Sequence, residues 1–336
     1  MQHEEIKRQN GVYYTTSNPF HYPQFKEWFN QIPEESKESI LEPFAGSNNI
    51  PALLKDENIT PASWVCFDMK SPEKNICPEF KIKEQDTLAH FPKGYDVCIT
   101  NPPYLAKNSA KRRKLPYPET KYDDLYKLSL EKILENCKYA GAIIPESFLT
   151  QELFTDRIYS VTSLNQKMFE DTECPVCLAL FVPESKDFRV FCGEEFLGYY
   201  SELKKQENEL FDNQENRWKF NDREGKIGVK CIDNQKEASI YFHNGEEIAP
   251  EKIKVSSRSY TRISGLPEGI PLEAFLEKCN EILTGYREKT KDVFMTSFKG
   301  LRKDGKYRRR IDFKTLRKIM DRAVAELVKE QDDCKL

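Results

Sequence analysis

The chain has 336 residues and 38% apolar content, enough to fill two domains or one large core with an appended module. Its charged start, Met1-Gln2-His3-Glu4-Glu5, and its short longest apolar run, 176–182, argue against a membrane span or signal peptide, so a soluble cytoplasmic protein is expected. The net charge of −3 does not by itself mark a nucleic-acid binder, and ten scattered cysteines, with one pair Cys174 and Cys177 lacking a zinc-spaced second pair, suit a reducing compartment and no metal site.

In chain order, the first half alternates strands and helices. Strands are expected at 39–41, 64–67, 80–82, 97–99 and 142–144, with a short helix near 51–55 and an amphipathic helix over 123–137 that Gly141 follows. The run 176–182 is apolar throughout, which predicts a strand covered on both faces. After Pro183 charge rises and apolar runs thin, placing a boundary near residue 185. The remainder reads as a mixed α+β module: a helical piece near 200–211, strands around 227–232 and 239–242, a helix from Pro271 that Gly285 terminates, and a last helix capped by Asp312.

Three segments carry chemistry. Asn101-Pro102-Pro103-Tyr104 directly follows a strand; the prolines lack backbone donors, so carbonyls and the Asn101 side-chain oxygen are available as acceptors beside an aromatic face. Such a pocket suits a planar amine or amide and leaves the nitrogen lone pair available. The turn Leu41-Glu42-Pro43-Phe44-Ala45-Gly46-Ser47-Asn48 leads from the first strand into a helix, and Asp68 ends the second strand. In a doubly wound sheet these segments converge at the carboxyl ends of the strands.

From about Gly11 to Val182 the chain resembles the adenine-specific (amino) DNA methyltransferases that use S-adenosylmethionine, with the cofactor motif ahead of the catalytic motif as in the gamma arrangement. The resemblance implies a Rossmann-like α/β fold with a seven-stranded mixed sheet over 1–185 and a smaller α+β target-recognition module over 186–336. It makes Tyr14, Thr15, Thr16, Glu42, Pro43, Phe44, Ala45, Gly46, Asp68, Met69, Asp86, Thr87 and Asn101 cofactor contacts. Glu42 would meet the methionine amine, Asp68 the ribose and Asp86 the adenine amine. Asn101, Pro102, Tyr104 and Phe169 form the catalytic set, the two aromatic residues packing opposite sides of the flipped base. Asn48 stands where the family usually has Gly, and Asn is among the residues that best tolerate φ > 0.

The implied partner is double-stranded DNA, with a restriction endonuclease acting on the same site and a monomeric state expected. Lys107, Lys111, Arg112, Arg113 and Lys114 adjoin the Asn-Pro-Pro-Tyr segment and would track phosphates. Arg258 and Arg262 suit base edges or phosphates, and Arg308, Arg309 and Arg310, just before the last helix, suit a phosphate at a helix N-terminus. Methylation of an RNA base or a protein glutamine, or a catalytically dead DNA-binding scaffold, are the competing readings.

Overall fold

The computed structural model describes residues 17–59, 61–169, 173–209, 218–254 and 257–333, and the chain divides into two compact units, Met1–Leu197 and Gly198–Leu336. The first is built on strands β1 Ser39–Glu42, β2 Ser63–Asp68, β3 Ile82–Glu84, β4 Val97–Thr100, β5 Tyr139–Pro145, β6 Ile158–Ser163, β7 Val176–Phe181, β8 Arg189–Cys192 and β9 Glu195–Tyr199. They form one sheet in the order β3-β2-β1-β4-β5-β7-β6-β8-β9. Pairing is parallel from β3 through β5, and β7 runs antiparallel to both β5 and β6. The first seven strands thus stand in the order 3-2-1-4-5-7-6, a doubly wound sheet that is parallel except at β7. All six residues of β7 are buried, as its unbroken apolar run requires.

Helix α1, Pro23–Gln31, opens with a proline in its first turn, where no backbone donor is lost to the ladder. Its Trp28 is fully buried and donates from Nε1 to the Phe181 carbonyl at 3.0 Å, fixing the helix across the sheet. Helices α2 Asn49–Asp56, α3 Lys107–Arg113 and α4 Leu125–Asn136 follow β1 and β4. The chain builds β1 to β3 outward in one direction and returns to add β4 on the other side of β1. The gap between the ends of β1 and β4 is therefore the topological switch point, where such sheets bind ligands.

In the second unit α5, Tyr200–Glu209, precedes an antiparallel sheet of β10 Lys219–Phe220, β11 Ile227–Lys230, β12 Tyr241–Asn244 and β13 Tyr260–Ser264, in the order β10-β13-β11-β12. Helix α6 Leu272–Thr290, the two-stranded ribbon β14 Thr296–Leu301 and β15 Tyr307–Arg310, and helix α7 Phe313–Asp333 complete it. Its core joins Trp218, Val229, Ile263, Phe275, Tyr286 and Ile319.

Several expectations shift. The sheet has nine strands instead of seven, because β8 and β9 extend it, and the unit boundary falls at 197/198 instead of 185/186. The third strand lies at 82–84, two residues later than expected. Helix α6 runs through Gly285: Tyr286 and Thr290 are fully buried beyond it, and the helix ends at Lys291, which takes the left-handed conformation. Asp312 is confirmed as the cap of α7, accepting from the Thr315 N–H at 2.8 Å.

Candidate active site

β1 ends in Glu42, a fully buried carboxyl. Its Oε1 accepts from the Phe44 N–H at 3.0 Å and from the Thr100 hydroxyl at 2.5 Å, whereas Oε2 is buried without a partner among the described residues. Burial pushes its pKa up to about 8, against the pull of the Thr100 and Phe44 bonds and with a smaller push from Asp68. Thr100 is the last residue of β4, so this bond ties the end of β1 to the residue directly before Asn101.

The turn after Glu42 is held from three sides. The Ala45 N–H donates to the Phe67 carbonyl at 2.8 Å, the Gly46 N–H to Asp68 Oδ2 at 2.8 Å, and the Thr87 hydroxyl to the Pro43 carbonyl at 2.9 Å. Gly46 has φ 53° and Asn48 φ 64°, so Asn48 takes the left-handed conformation that the turn demands of it. Its Nδ2 donates to Asn75 Oδ1 at 3.0 Å and to the Phe80 carbonyl at 2.8 Å, anchoring the turn to segment 75–80. Asp68 is half-buried; burial raises its pKa and the Gly46 N–H pulls the other way. Met69 beside it is 65% exposed. Asp86 is exposed, its Oδ1 accepting from the Leu88 and Ala89 N–H groups at 3.1 and 3.0 Å. Tyr14, Thr15 and Thr16 lie outside the described residues.

At the end of β4, Pro102 is buried and Asn101 half-buried. The Tyr104 hydroxyl lies 2.6 Å from both Asn101 Oδ1 and the Ile143 carbonyl. Its ring packs edge-on to Tyr126, 6.4 Å away at 87°, and to Phe169, 6.2 Å away at 71°. Tyr104 and Phe169 thus come together, but both are buried and touch edge to face instead of framing a slot for a base.

Sequence reasoning passed over Asp124. It caps α4 by accepting from the Tyr126 N–H and also accepts from the Leu105 N–H at 3.1 Å, and burial raises its pKa to about 6. The Asp124 just ahead of an apolar helical run was the available signal. Leu88, Leu105, Ala110, Leu115, Tyr117 and Leu125 pack into one small cluster that joins the 86–88 turn, the Asn-Pro-Pro-Tyr segment and α3. Lys107, Lys111, Arg112, Arg113 and Lys114 all stand exposed on and after that helix.

In the second unit the basic candidates separate. Arg258 is exposed. Arg262 is buried and donates from Nε to the Gly225 carbonyl at 2.9 Å, a structural bond that removes it from the surface. Arg308, Arg309 and Arg310 lie within β15 and alternate across it, so they do not cluster at the start of α7. Arg309 is buried on Ser297 Oγ at 2.7 Å, and Arg308 donates from Nε to the Asp233 carbonyl at 2.7 Å.

Residues 21–176 match the family of Eco57I restriction-modification methylases. This unit is similar to a restriction-modification methylase. No curated protein matches the chain in sequence. Among solved structures, the chain is similar to the type I restriction-modification methyltransferase subunit from Streptococcus thermophilus, at 14% identity over 60% of this chain and 49% of that one, TM-score 0.40. It is also similar to a modification subunit of a putative type I restriction enzyme from Vibrio vulnificus, at 16% identity over 56% and 49%, TM-score 0.36. A putative class I S-adenosylmethionine-dependent methyltransferase from Listeria monocytogenes aligns at 15% identity over 53% and 68%, TM-score 0.36. The chain spans about half the length of the first two of these proteins.

Proposed function

We propose that the protein transfers the methyl group of S-adenosylmethionine to the exocyclic N6 amine of an adenine flipped out of double-stranded DNA, as the modification partner of a restriction endonuclease. One observation carries the reading. The Thr100–Glu42 bond brings a buried, half-satisfied carboxyl and the Asn-Pro-Pro-Tyr segment to the two sides of the switch point.

The residues fit this cofactor. The unpartnered Glu42 Oε2 suits an ammonium group, and Asp68, at the end of β2 beside the exposed Met69, suits a ribose. Asp86, exposed just beyond β3, suits an adenine amine, and the turn through Gly46 admits close approach of a ligand. When bound, the cofactor supplies a sulfonium-activated methyl group. The protein then has to align the amine and exclude water. Asn101 Oδ1 and the Pro102 carbonyl accept the two N–H bonds of the target amine, favouring a pyramidal nitrogen and stabilising the positive charge that develops on it. No general base is required, since the product loses its proton after transfer. Flipping the base costs a few kcal/mol, which stacking on Tyr104 and Phe169 helps to offset.

The exposed basic residues of α3 support DNA as the substrate, because they adjoin the amine pocket through the shared apolar cluster. Incubation with tritiated cofactor and duplex DNA is expected to label adenine. Label in RNA or protein, with DNA inert, would refute the reading. Asn101→Ala is expected to abolish transfer while calorimetry still detects cofactor binding.

A further inference from the structure

Leu41 and Cys98 are the last paired residues of β1 and β4, and beyond them the two strands part to open the gap at the switch point. Thr100 ends β4 two residues further on, buried, with its backbone paired to Ala142 of β5. Its side chain reaches the opposite neighbour instead, donating across the gap to Glu42 Oε1 at 2.5 Å. A β-branched residue in a strand has few χ1 choices, so packing as well as the bond keeps this hydroxyl on the carboxyl.

Among the described residues one other donor reaches Glu42, the Phe44 N–H, and it too lies on Oε1, at 3.0 Å. Both donors therefore sit on one oxygen and leave the other, Oε2, buried and open to a ligand. The ionisable groups that face Glu42 are Asp68 and Cys66 from β2 and Cys98 from β4. Burial pushes both thiols well above their ordinary range, and Asp68 opposes a negative charge on Glu42. None of the three is a cation. Within the described residues, a charge arising on Glu42 is thus carried by the Thr100 hydroxyl and the Phe44 N–H.

Resting on the proposed methyl transfer, we infer that Thr100 is a positioning residue of the cofactor site: its hydroxyl fixes Glu42 Oε1, leaves Oε2 for the ammonium group of the cofactor, and stabilises the carboxylate that this ammonium requires. Thr100 acts through Glu42 and is assigned no contact with the reacting atoms. The same side chain joins the residue directly before Asn101 to the carboxyl that seats the methyl donor, so one hydroxyl serves the alignment of both reactants.

The test is calorimetry of the full chain with S-adenosylmethionine from about pH 6 to about pH 9, beside single-turnover transfer to duplex DNA at saturating cofactor. Thr100→Val keeps the shape and removes the donor. It is expected to move the acid limb of the affinity profile up by about one pH unit and to weaken binding near neutral pH about tenfold. The alkaline limb, set by the ammonium group of the ligand itself, is expected to stay in place. KM for the cofactor rises while the transfer rate at saturation holds within about twofold. Thr100→Ser restores the donor and is expected to return the profile to that of the parent, and Thr100→Ala, a second variant without the donor, is expected to repeat the valine shift. In a Glu42→Gln background Thr100→Val is expected to leave the profile where it is, because the group it acts on no longer titrates. A lowered melting temperature with the parent profile kept would make the bond structural only and overturn the inference. A serine variant no better than valine, or a fall in the saturated rate with cofactor affinity unchanged, would do the same. Failure of the unmodified protein to bind the cofactor at any pH would overturn the proposed function with it.

Discussion

On the proposed function, Glu42 couples cofactor binding to protons. Its carboxyl holds a proton up to about pH 8 in the folded protein, whereas the ordinary value is 4.5, so the folded state binds the extra proton between these limits. Stability from this group is full below about 4.5, declines as pH rises and is gone above about 8, a change on the order of a few kcal/mol. Glu42→Gln is expected to flatten this dependence, checked by thermal melts at about pH 6 and about pH 9, while losing cofactor affinity. An ammonium group arriving at Oε2 ionises the acid, so calorimetry near neutral pH in buffers of different ionisation enthalpy is expected to register proton release from the parent and none from the variant. The Tyr104 hydroxyl has one proton and two acceptors at 2.6 Å. Tyr104→Phe keeps the ring, strips the donor from Asn101 and Ile143, and is expected to cost about 1 kcal/mol of stability, with a lower kcat in single-turnover transfer and little change in cofactor affinity.

At the scale of elements, segments with local signals were legible in the sequence. The apolar run of β7, the Asp312 cap and the Asn48 turn are all written in a few neighbouring residues, and each is found where it was read. Asp233 was not legible, because its Arg287, Arg302 and Arg309 partners lie 54, 69 and 76 positions away. Burial raises the Asp233 pKa, but the Arg287 bonds and charge outweigh it and hold the carboxyl below its usual value. Asp233→Ala removes the buried counter-charge of Arg287 and Arg302, which keep only Asp292 and Asp304, and a loss of about 3 kcal/mol is expected. Trp218, which donates from Nε1 to Asp321 at 2.6 Å in the same unit, reports it by fluorescence in denaturant titrations. Asn48→Ala is expected to lower stability more than Asn48→Gly. Both lose the bonds to Asn75 and Phe80, but only alanine is strained at φ 64°.

For the whole molecule, the alternating α/β pattern and the convergence of Glu42, Asp68 and Asn101 on one sheet edge were readable before any coordinates, since strand ends and topology dictate them. The place where the first unit stops was not, because β8 and β9 look no different in composition from the strands of the second unit. S-adenosylmethionine at about a hundred times its Kd is expected to stabilise the first unit by about 2.7 kcal/mol. A Trp218→Phe protein, whose remaining Trp28 and Trp64 both lie in that unit, follows the change by fluorescence, and a transition unmoved by the cofactor would contradict the assignment of the site to it. The double duty of Asp124 matters here as well. One carboxylate fixes both the first turn of α4 and the backbone leaving the Asn-Pro-Pro-Tyr segment at Leu105, and from Lys107 onward α3 presents its lysines and arginines to solvent. The Asn-Pro-Pro-Tyr segment and the basic helix are thus two ends of one short bracket, so on the proposed function a sugar-phosphate strand seated at one end is expected to set the alignment of the acceptor atoms at the other.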